Sequence, residues 1–209
     1  MTAAVAWVLS LLVLALPPDR VQAMPGWEET LAAREARYLS IATDVAAVVY
    51  APASPVLYAG SRARAHTAAL IIAVAVLESG LAADVDAGPC YRGRDGRSMR
   101  CDSGRAHGLW QVHDPNVQGD RRAAARAALR ILRGSYAAST AERDHAWSAE
   151  ERLSHRLDLY AGGRSRAAHL LGMARLALAD RLAARPGAPT DAAVLASVTG
   201  APAAAAVAP

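Results

Sequence analysis

Residues 68–80 read Ala-Ala-Leu-Ile-Ile-Ala-Val-Ala-Val-Leu-Glu-Ser-Gly, a long apolar run that ends in a glutamate, a serine and a glycine. Its apolar run predicts a buried helix, and Gly80 predicts where that helix ends, because glycine readily takes the left-handed conformation of a C-terminal cap. Glu78 then lies in the last turn, where the helix dipole and apolar packing both disfavour a charged carboxylate. The protonated form that they favour is the one a general acid needs. The alternative is an ordinary glutamate with its carboxylate in solvent.

Composition limits the size and the class of the protein. The 209 residues suffice for one domain with a full core, and the net charge of +4 implies a mildly positive surface. Such a surface favours anionic polymers in general: nucleic acid, acidic membrane or bacterial cell wall. The chain contains no basic run with interleaved aromatic residues, so we expect no nucleic-acid partner.

The N-terminus resembles a targeting signal. Ala3–Leu16 is an apolar stretch of the length of a signal-peptide core, and Pro17-Pro18 ends it. Small residues in Val21-Gln22-Ala23 suit cleavage, which predicts a signal peptide over residues 1–23 and a mature chain beginning at Met24. We therefore expect an exported, periplasmic or secreted monomer with peripheral or no membrane contact. An uncleaved membrane anchor is the alternative.

Export determines how the two cysteines are interpreted. Cys90 and Cys101 flank a polar, glycine-containing segment, and in an oxidising compartment this spacing predicts a disulfide-closed loop. The chain lacks the CxxC and compact HxxxH spacings of common zinc sites, so the sequence does not predict a Cys/His metal site.

Periodicity predicts a mainly α protein with a domain over residues 24–185. The predicted helices are 27–50, 62–77, 116–135, 148–160 and 165–185, separated by a loop-rich region at 81–106. The apolar stripe from Leu170 to Leu182 is expected in the core, and the arginines at 121, 122, 126 and 130 on a solvated face. Residues 186–209 form a low-complexity tail that we expect to be disordered or weakly helical.

Three short motifs follow one another along the chain. They are Glu78-Ser79-Gly80, Gly108-Leu109-Trp110-Gln111-Val112 and Leu159-Tyr160-Ala161-Gly162-Gly163. Their order resembles that of the soluble lytic transglycosylase catalytic domain, a goose-type lysozyme-like fold that cleaves peptidoglycan. The resemblance spans roughly residues 62–180 and implies a single lysozyme-like domain that carries the disulfide-closed loop as an insertion.

The resemblance also implies roles for individual residues. Glu78 matches the catalytic acid/base, and Ser79 matches a serine that positions substrate beside it. Gln111 matches a hydrogen-bond partner of the sugar, and Gly108 permits the close turn. Tyr160 matches a tyrosine whose hydroxyl approaches the catalytic glutamate. The implied substrate is the glycan strand of peptidoglycan.

Two residues depart from the family motifs. Trp110 stands where methionine is usual, and it would pack under the cleft or stack on a sugar. Ala161 stands where asparagine is usual, so a polar contact is missing.

The implied mechanism uses Glu78 alone and needs neither a metal nor an organic cofactor. Glu78 would protonate the bond between N-acetylmuramic acid and N-acetylglucosamine and then deprotonate the muramyl C6 hydroxyl, giving a 1,6-anhydro product. The alternatives are a hydrolytic lysozyme on the same fold and a non-catalytic glycan-binding module. Hydrolysis by the usual glycosidase routes needs a second carboxylate, and Asp84 and Asp86 are close in sequence only. Both are expected to be solvated turn residues. His107 and His113, beside the second motif, are expected to be surface or packing residues.

Overall fold

A computed structural model describes residues 1–88, 90–92, 99–141, 155–160 and 165–199 of the chain. Within these ranges the protein is mainly α-helical, as the sequence predicts. The helices are α1 (Ala3–Ala15), α2 (Leu31–Val49), α3 (Ala63–Ser79), α4 (Ala83–Ala87), α5 (Arg121–Ala141), α6 (Arg166–Ala183) and α7 (Asp191–Thr199). Two short strands, β1 (Tyr91–Arg92) and β2 (Met99–Arg100), pair antiparallel with Tyr91 opposite Arg100.

Helix α3 lies at the centre of the molecule. Its residues from Thr67 to Ala75 are buried without interruption, so the helix is apolar on every side over that length. It packs most extensively against α6 and also against α1, α2, α5 and α7. Gly80 has φ +58° and caps α3, so the predicted end of this helix is confirmed.

Helices α2 and α6 begin at threonine and serine caps. The Thr30 hydroxyl accepts a hydrogen bond from the Ala33 N–H at 3.1 Å, and the Ser165 hydroxyl accepts one from the Ala168 N–H at 3.1 Å. The C-terminal end of α2 is held by Arg64, which donates to the carbonyl oxygens of Val49 and Ala51. These contacts fix the ends of the two helices that flank α3.

The N-terminal helix α1 is packed into the main hydrophobic core. Val8, Leu11 and Leu12 are completely buried against the rest of the molecule, and α1 contacts α2 and α3. The Tyr38 hydroxyl of α2 donates a hydrogen bond to the Leu16 carbonyl at 2.8 Å. The span Ala3–Arg20 is long and apolar enough to cross a membrane, a property it shares with signal sequences.

A charged network holds α4 against α2 and α5, and it corrects two predictions. Asp86 was expected in solvent, but its side chain is only 4% exposed and accepts hydrogen bonds at 2.7 and 2.8 Å from Arg121. Arg121, expected on a solvated face, also binds Asp44 at 2.8 Å. Asp84 is fully buried as well. The predicted solvent exposure was wrong because an ion pair between residues far apart in sequence produces no recognisable local sequence pattern.

One further prediction fails in the C-terminal third. The stripe Leu170–Leu182 is only partly core: Leu170, Leu171 and Met173 are exposed, because the buried face of α6 is rotated towards Ala168, Gly172, Arg175, Ala179 and Leu182. In the tail, the described residues form the short helix α7, which agrees with the weakly helical alternative, and residues 200–209 lie outside the described ranges. The Asp191 carboxylate accepts a hydrogen bond from the Arg64 N–H at 3.1 Å, and Val194 is buried. Of the predicted helix 148–160, residues 155–160 form turns and the remainder lies outside the described residues.

Candidate active site

A cleft of about 510 Å³ opens beside the C-terminal end of α3. It brings together residues from all three sequence motifs, namely Glu78, Trp110, Gln111, Leu159 and Tyr160. Helices α5 and α6 complete its walls with Ile131, Leu171 and Arg175, and the region after the disulfide contributes Cys101, Asp102 and His113. Segments far apart in sequence therefore converge on one glutamate.

Glu78 is ion-paired with a residue that the sequence analysis missed. Arg175 of α6 donates a short hydrogen bond from Nη2 to Glu78 Oε1. The Arg175 side chain is 5% exposed and that of Glu78 is 20% exposed, so the pair lies at the inner wall of the cleft. The apolar surroundings expected for Glu78 are thus interrupted by a charged hydrogen-bond partner.

The guanidinium of Arg175 is incompletely satisfied. Within the described part of the chain, its Nε and Nη1 are buried and have no hydrogen-bond partner. Its Cζ lies 5.6 Å from the centre of the Tyr160 ring. Buried donors without partners are uncommon in proteins, and because these two atoms are out of contact with solvent, a ligand in the cleft would reach them only after the side chain moves.

The second motif forms a tight turn that presents Gln111 to the cleft. The His107 and Val112 N–H groups each donate to the other residue's carbonyl at 3.0 Å, closing the turn. Gly108 has φ +64°, and a Cβ there would meet the Ala124 side chain at 3.3 Å, so glycine fits both the conformation and the close packing. Gln111 itself has φ +50°, a left-handed conformation that is uncommon for residues other than glycine.

Trp110 forms the floor of the cleft. It is 1% exposed, and its indole Nε1 donates a hydrogen bond to the Ile71 carbonyl at 2.9 Å. Of its two expected roles, the structure supports packing under the cleft, because no ring face is open to stack on a sugar. The Gln111 side chain is more accessible and donates from Nε2 to the Gly108 carbonyl at 3.0 Å.

Tyr160 links the third motif to the second. Its hydroxyl donates to the Trp110 carbonyl at 2.7 Å, so its hydrogen bond goes to the turn. Burial raises the pKa of Tyr160 well above its ordinary value, and the nearby charge of Glu78 adds to the effect while Arg175 opposes it. The hydroxyl therefore stays a neutral donor at physiological pH. Ala161, Gly162 and Gly163 of the same motif lie outside the described residues.

Ser79 does not take the position expected for it. Its hydroxyl donates to the Ala75 carbonyl at 2.7 Å and accepts from the Leu81 N–H at 3.2 Å. It lines a second cavity of about 420 Å³, bounded partly by residues 16–24, and is not among the residues lining the Glu78 cleft. Successive helical residues point about 100° apart, so being next to Glu78 in sequence does not place Ser79 on the same face.

The disulfide and the two histidines are also located. Cys90 and Cys101 form a disulfide with their Cα atoms 5.3 Å apart, which confirms the predicted pair. His107 is buried, as a packing residue would be. His113 is exposed, lines the cleft and lies 2.7 Å from Asp102.

Comparison with known proteins does not assign this chain to a family. No protein-family model, no curated protein and no solved structure matches it.

Proposed function

We propose that this protein is an exported peptidoglycan lytic transglycosylase with Glu78 as its general acid and base. The observation that carries the proposal is the convergence of the three motifs, since Glu78, Gln111 and Tyr160 line one cleft although they are widely separated in sequence. The cleft volume is within the range of small-ligand sites, so it suits one or two sugar rings of a longer strand. The lysozyme-like fold and the role of the disulfide-closed loop as an insertion are part of the same proposal.

The proposed reaction is an intramolecular transfer. Protonated Glu78 gives its proton to the glycosidic oxygen as the bond from that oxygen to the muramyl anomeric carbon breaks. The resulting carboxylate then takes the proton of the muramyl C6 hydroxyl, whose oxygen bonds to the anomeric carbon and closes the 1,6-anhydro ring. Glu78 ends protonated again, and no water is consumed.

Arg175 affects the step in which Glu78 donates its proton. An ion-paired carboxylate carries no proton to donate, so before the first step the Glu78–Arg175 contact has to separate and Glu78 has to take up a proton from solvent. The Nε and Nη1 of Arg175 are buried, so they would meet glycan acetamido oxygens only after the side chain moves. Substrate entry would then supply a partner for the separated guanidinium.

Two alternatives each have one observation in their favour. Asp102 is the other carboxylate among the described residues that line the cleft, which would suit a hydrolytic lysozyme. Asp84 and Asp86 do not serve that purpose, since Asp84 lines the second cavity and Asp86 is committed to Arg121. The Glu78–Arg175 pair itself favours a non-catalytic glycan-binding module.

The test is mass spectrometry of purified peptidoglycan after incubation with the wild type, Glu78→Gln and Asp102→Asn. Anhydro-muramyl products that persist in Asp102→Asn and disappear in Glu78→Gln support the transglycosylase. Reducing-end products that require Asp102 establish a lysozyme instead. Sedimentation with the wall but no products from the wild type establishes a binding module.

Export is proposed on two observations. The N-terminal helix has the length and apolar character of a signal sequence, and the disulfide is typical of an oxidising compartment. Intact-mass analysis of the protein recovered from outside the cytoplasm is expected to give a chain that begins at Met24. A chain beginning at Met1 would favour the membrane-anchored alternative.

A further inference from the structure

A group of potential metal ligands lies where residues 155–160 meet helix α6. Asp158 Oδ2 is 2.5 Å from His155 Nδ1, and Asp158 Oδ1 is 3.2 Å from His169 Nδ1. One donor atom from each of the three side chains lies within 4.8 Å of the others. The two imidazole rings are stacked with their centres 4.2 Å apart.

The donor set matches the coordination chemistry of zinc. Imidazole nitrogen and carboxylate oxygen bind Zn²⁺ at about 2.0–2.2 Å, which places neighbouring ligand atoms of a tetrahedral site roughly 3.4 Å apart. Both imidazoles already direct Nδ1 at one carboxylate, so small side-chain rotations bring the three atoms onto a common centre. The two cysteines do not compete as ligands, because they are bonded to each other.

The site is built into the fold rather than spread over the surface. The Asp158 side chain is only 7% exposed, while the histidine side chains are 25% and 29% exposed and leave an entry route. Gly172 lets α6 approach closely, since a Cβ there would meet Leu157 Cβ at 3.3 Å and Asp158 Oδ1 at 3.4 Å. The absence of a side chain at residue 172 therefore leaves room for the Asp158 carboxylate beside α6.

We propose that His155, Asp158 and His169 bind one Zn²⁺ ion, with water completing the coordination. The ion would tie residues 155–160 to α6. Tyr160 lies on the first of these elements and Arg175 on the second, and both line the Glu78 cleft. Zinc would therefore fix the relative position of two cleft walls. This inference goes beyond the proposed function and does not depend on it, because it concerns binding and not the reaction.

The probe is Co²⁺, whose visible absorption reports tetrahedral coordination, followed by displacement with Zn²⁺. Full-length protein is first stripped with a chelator, and the variants are His169→Ala and the near-isosteric Asp158→Asn. The control is His66→Ala, which removes another histidine paired with an aspartate, His66 Nε2 lying 3.0 Å from Asp180 Oδ1. Far-UV circular dichroism establishes that each variant is folded.

One equivalent of Co²⁺ is expected to bind the wild type and the control and to be displaced by Zn²⁺. Affinity is expected to fall at least about 100-fold in both cluster variants, since each loses one of three protein ligands. Absence of saturable binding by the folded wild type at micromolar metal overturns the proposal. Equal binding by the wild type and Asp158→Asn overturns it too, as does an equal loss in the control.

Discussion

Replacing Glu78 with glutamine is expected to lower the free energy of unfolding by about 3 kcal/mol. The substitution keeps the shape of the side chain but leaves the Arg175 guanidinium, 5% exposed, without its counter-charge. Removing one partner of a buried ion pair costs about 3–5 kcal/mol, and the 20% exposure of Glu78 places this pair at the lower end of that range. For a chain of this size the loss corresponds to a fall in Tm of about 6–12 °C.

The assay is urea unfolding of four proteins: the wild type, Glu78→Gln, the double variant Glu78→Gln/Arg175→Met and the control Glu35→Gln. Glu35 lies on the exposed face of α2, so its substitution is expected to change stability by less than about 0.5 kcal/mol. The double variant is expected to recover most of the loss, because methionine removes the buried charge and keeps the packing.

Two results would refute this reasoning. If Glu78→Gln is as stable as Glu35→Gln, the guanidinium does not depend on this carboxylate. If Glu78→Gln is more stable than the wild type, the pair is a net cost to folding, as charged groups held for function often are. Because the variant is also the test of catalysis, peptidoglycan digestion has to be run well below its Tm.

Three further outcomes are expected. Arg121→Met removes the arginine that Asp44 and Asp86 share and is expected to cost about 2 kcal/mol in urea unfolding. The loss is limited because each carboxylate keeps a second arginine, Arg122 beside Asp44 and Arg37 beside Asp86. The control Arg122→Met, at a residue half exposed with one ion pair, is expected to cost less than about 1 kcal/mol, and equal losses would contradict the described network. The Cys90–Cys101 disulfide joins residues 11 positions apart, and reducing it is expected to lower the free energy of unfolding by about 3 kcal/mol. Urea unfolding with and without reductant measures this loss, and an unchanged value would mean that the loop is constrained without the disulfide. Tyr160→Phe removes a hydrogen bond to a backbone carbonyl and is expected to cost about 1–2 kcal/mol by thermal unfolding, whereas an unchanged Tm would show that this bond is not formed.

The parts of the fold that the sequence predicts are those with local causes. The continuous apolar run allowed only a central helix for α3, and Gly80 ended it because of its backbone conformation. The close turn at Gly108 was implied by the resemblance, and the disulfide was predicted from cysteine spacing together with the expected export. Glu78, Gln111 and Tyr160 were placed by their motifs, and the cleft brings all three together.

What the sequence did not predict depends on which face of a helix is buried. Ser79 follows Glu78 directly yet points into another cavity. Arg175 was passed over because the leucines around it suggested a different core face for α6. A usable signal was present: Ala168, Gly172, Arg175, Ala179 and Leu182 recur at helical spacing with small residues among them, and they mark the face that packs closely. An arginine on such a face is a charged group held for a partner.

Helix α1 has the properties of a signal sequence and also those of a buried core helix. Its length and apolar character suit a signal sequence, and the same apolar side chains pack into the protein core. The boundary at residue 23 therefore stays a prediction. If residues 1–23 are removed, the second cavity loses the wall formed by residues 16–23, and Ser79 becomes accessible from that side.

The Glu78–Arg175 pair separates the candidate functions more sharply than the shape of the cleft does. A binding module gains nothing from a guanidinium whose remaining donors lack partners within the described chain, since the cost of burying them falls on the free protein. An acid/base catalyst has a use for both states of the pair, because Glu78 has to be neutral when it donates a proton and ionised when it accepts one. On the proposed function, Arg175 would leave Glu78 when the glycan arrives, and that departure would permit the neutral state. The buried donors of Arg175 that lack partners in the described chain are therefore an argument for the proposed catalysis, although the ion pair by itself favours binding.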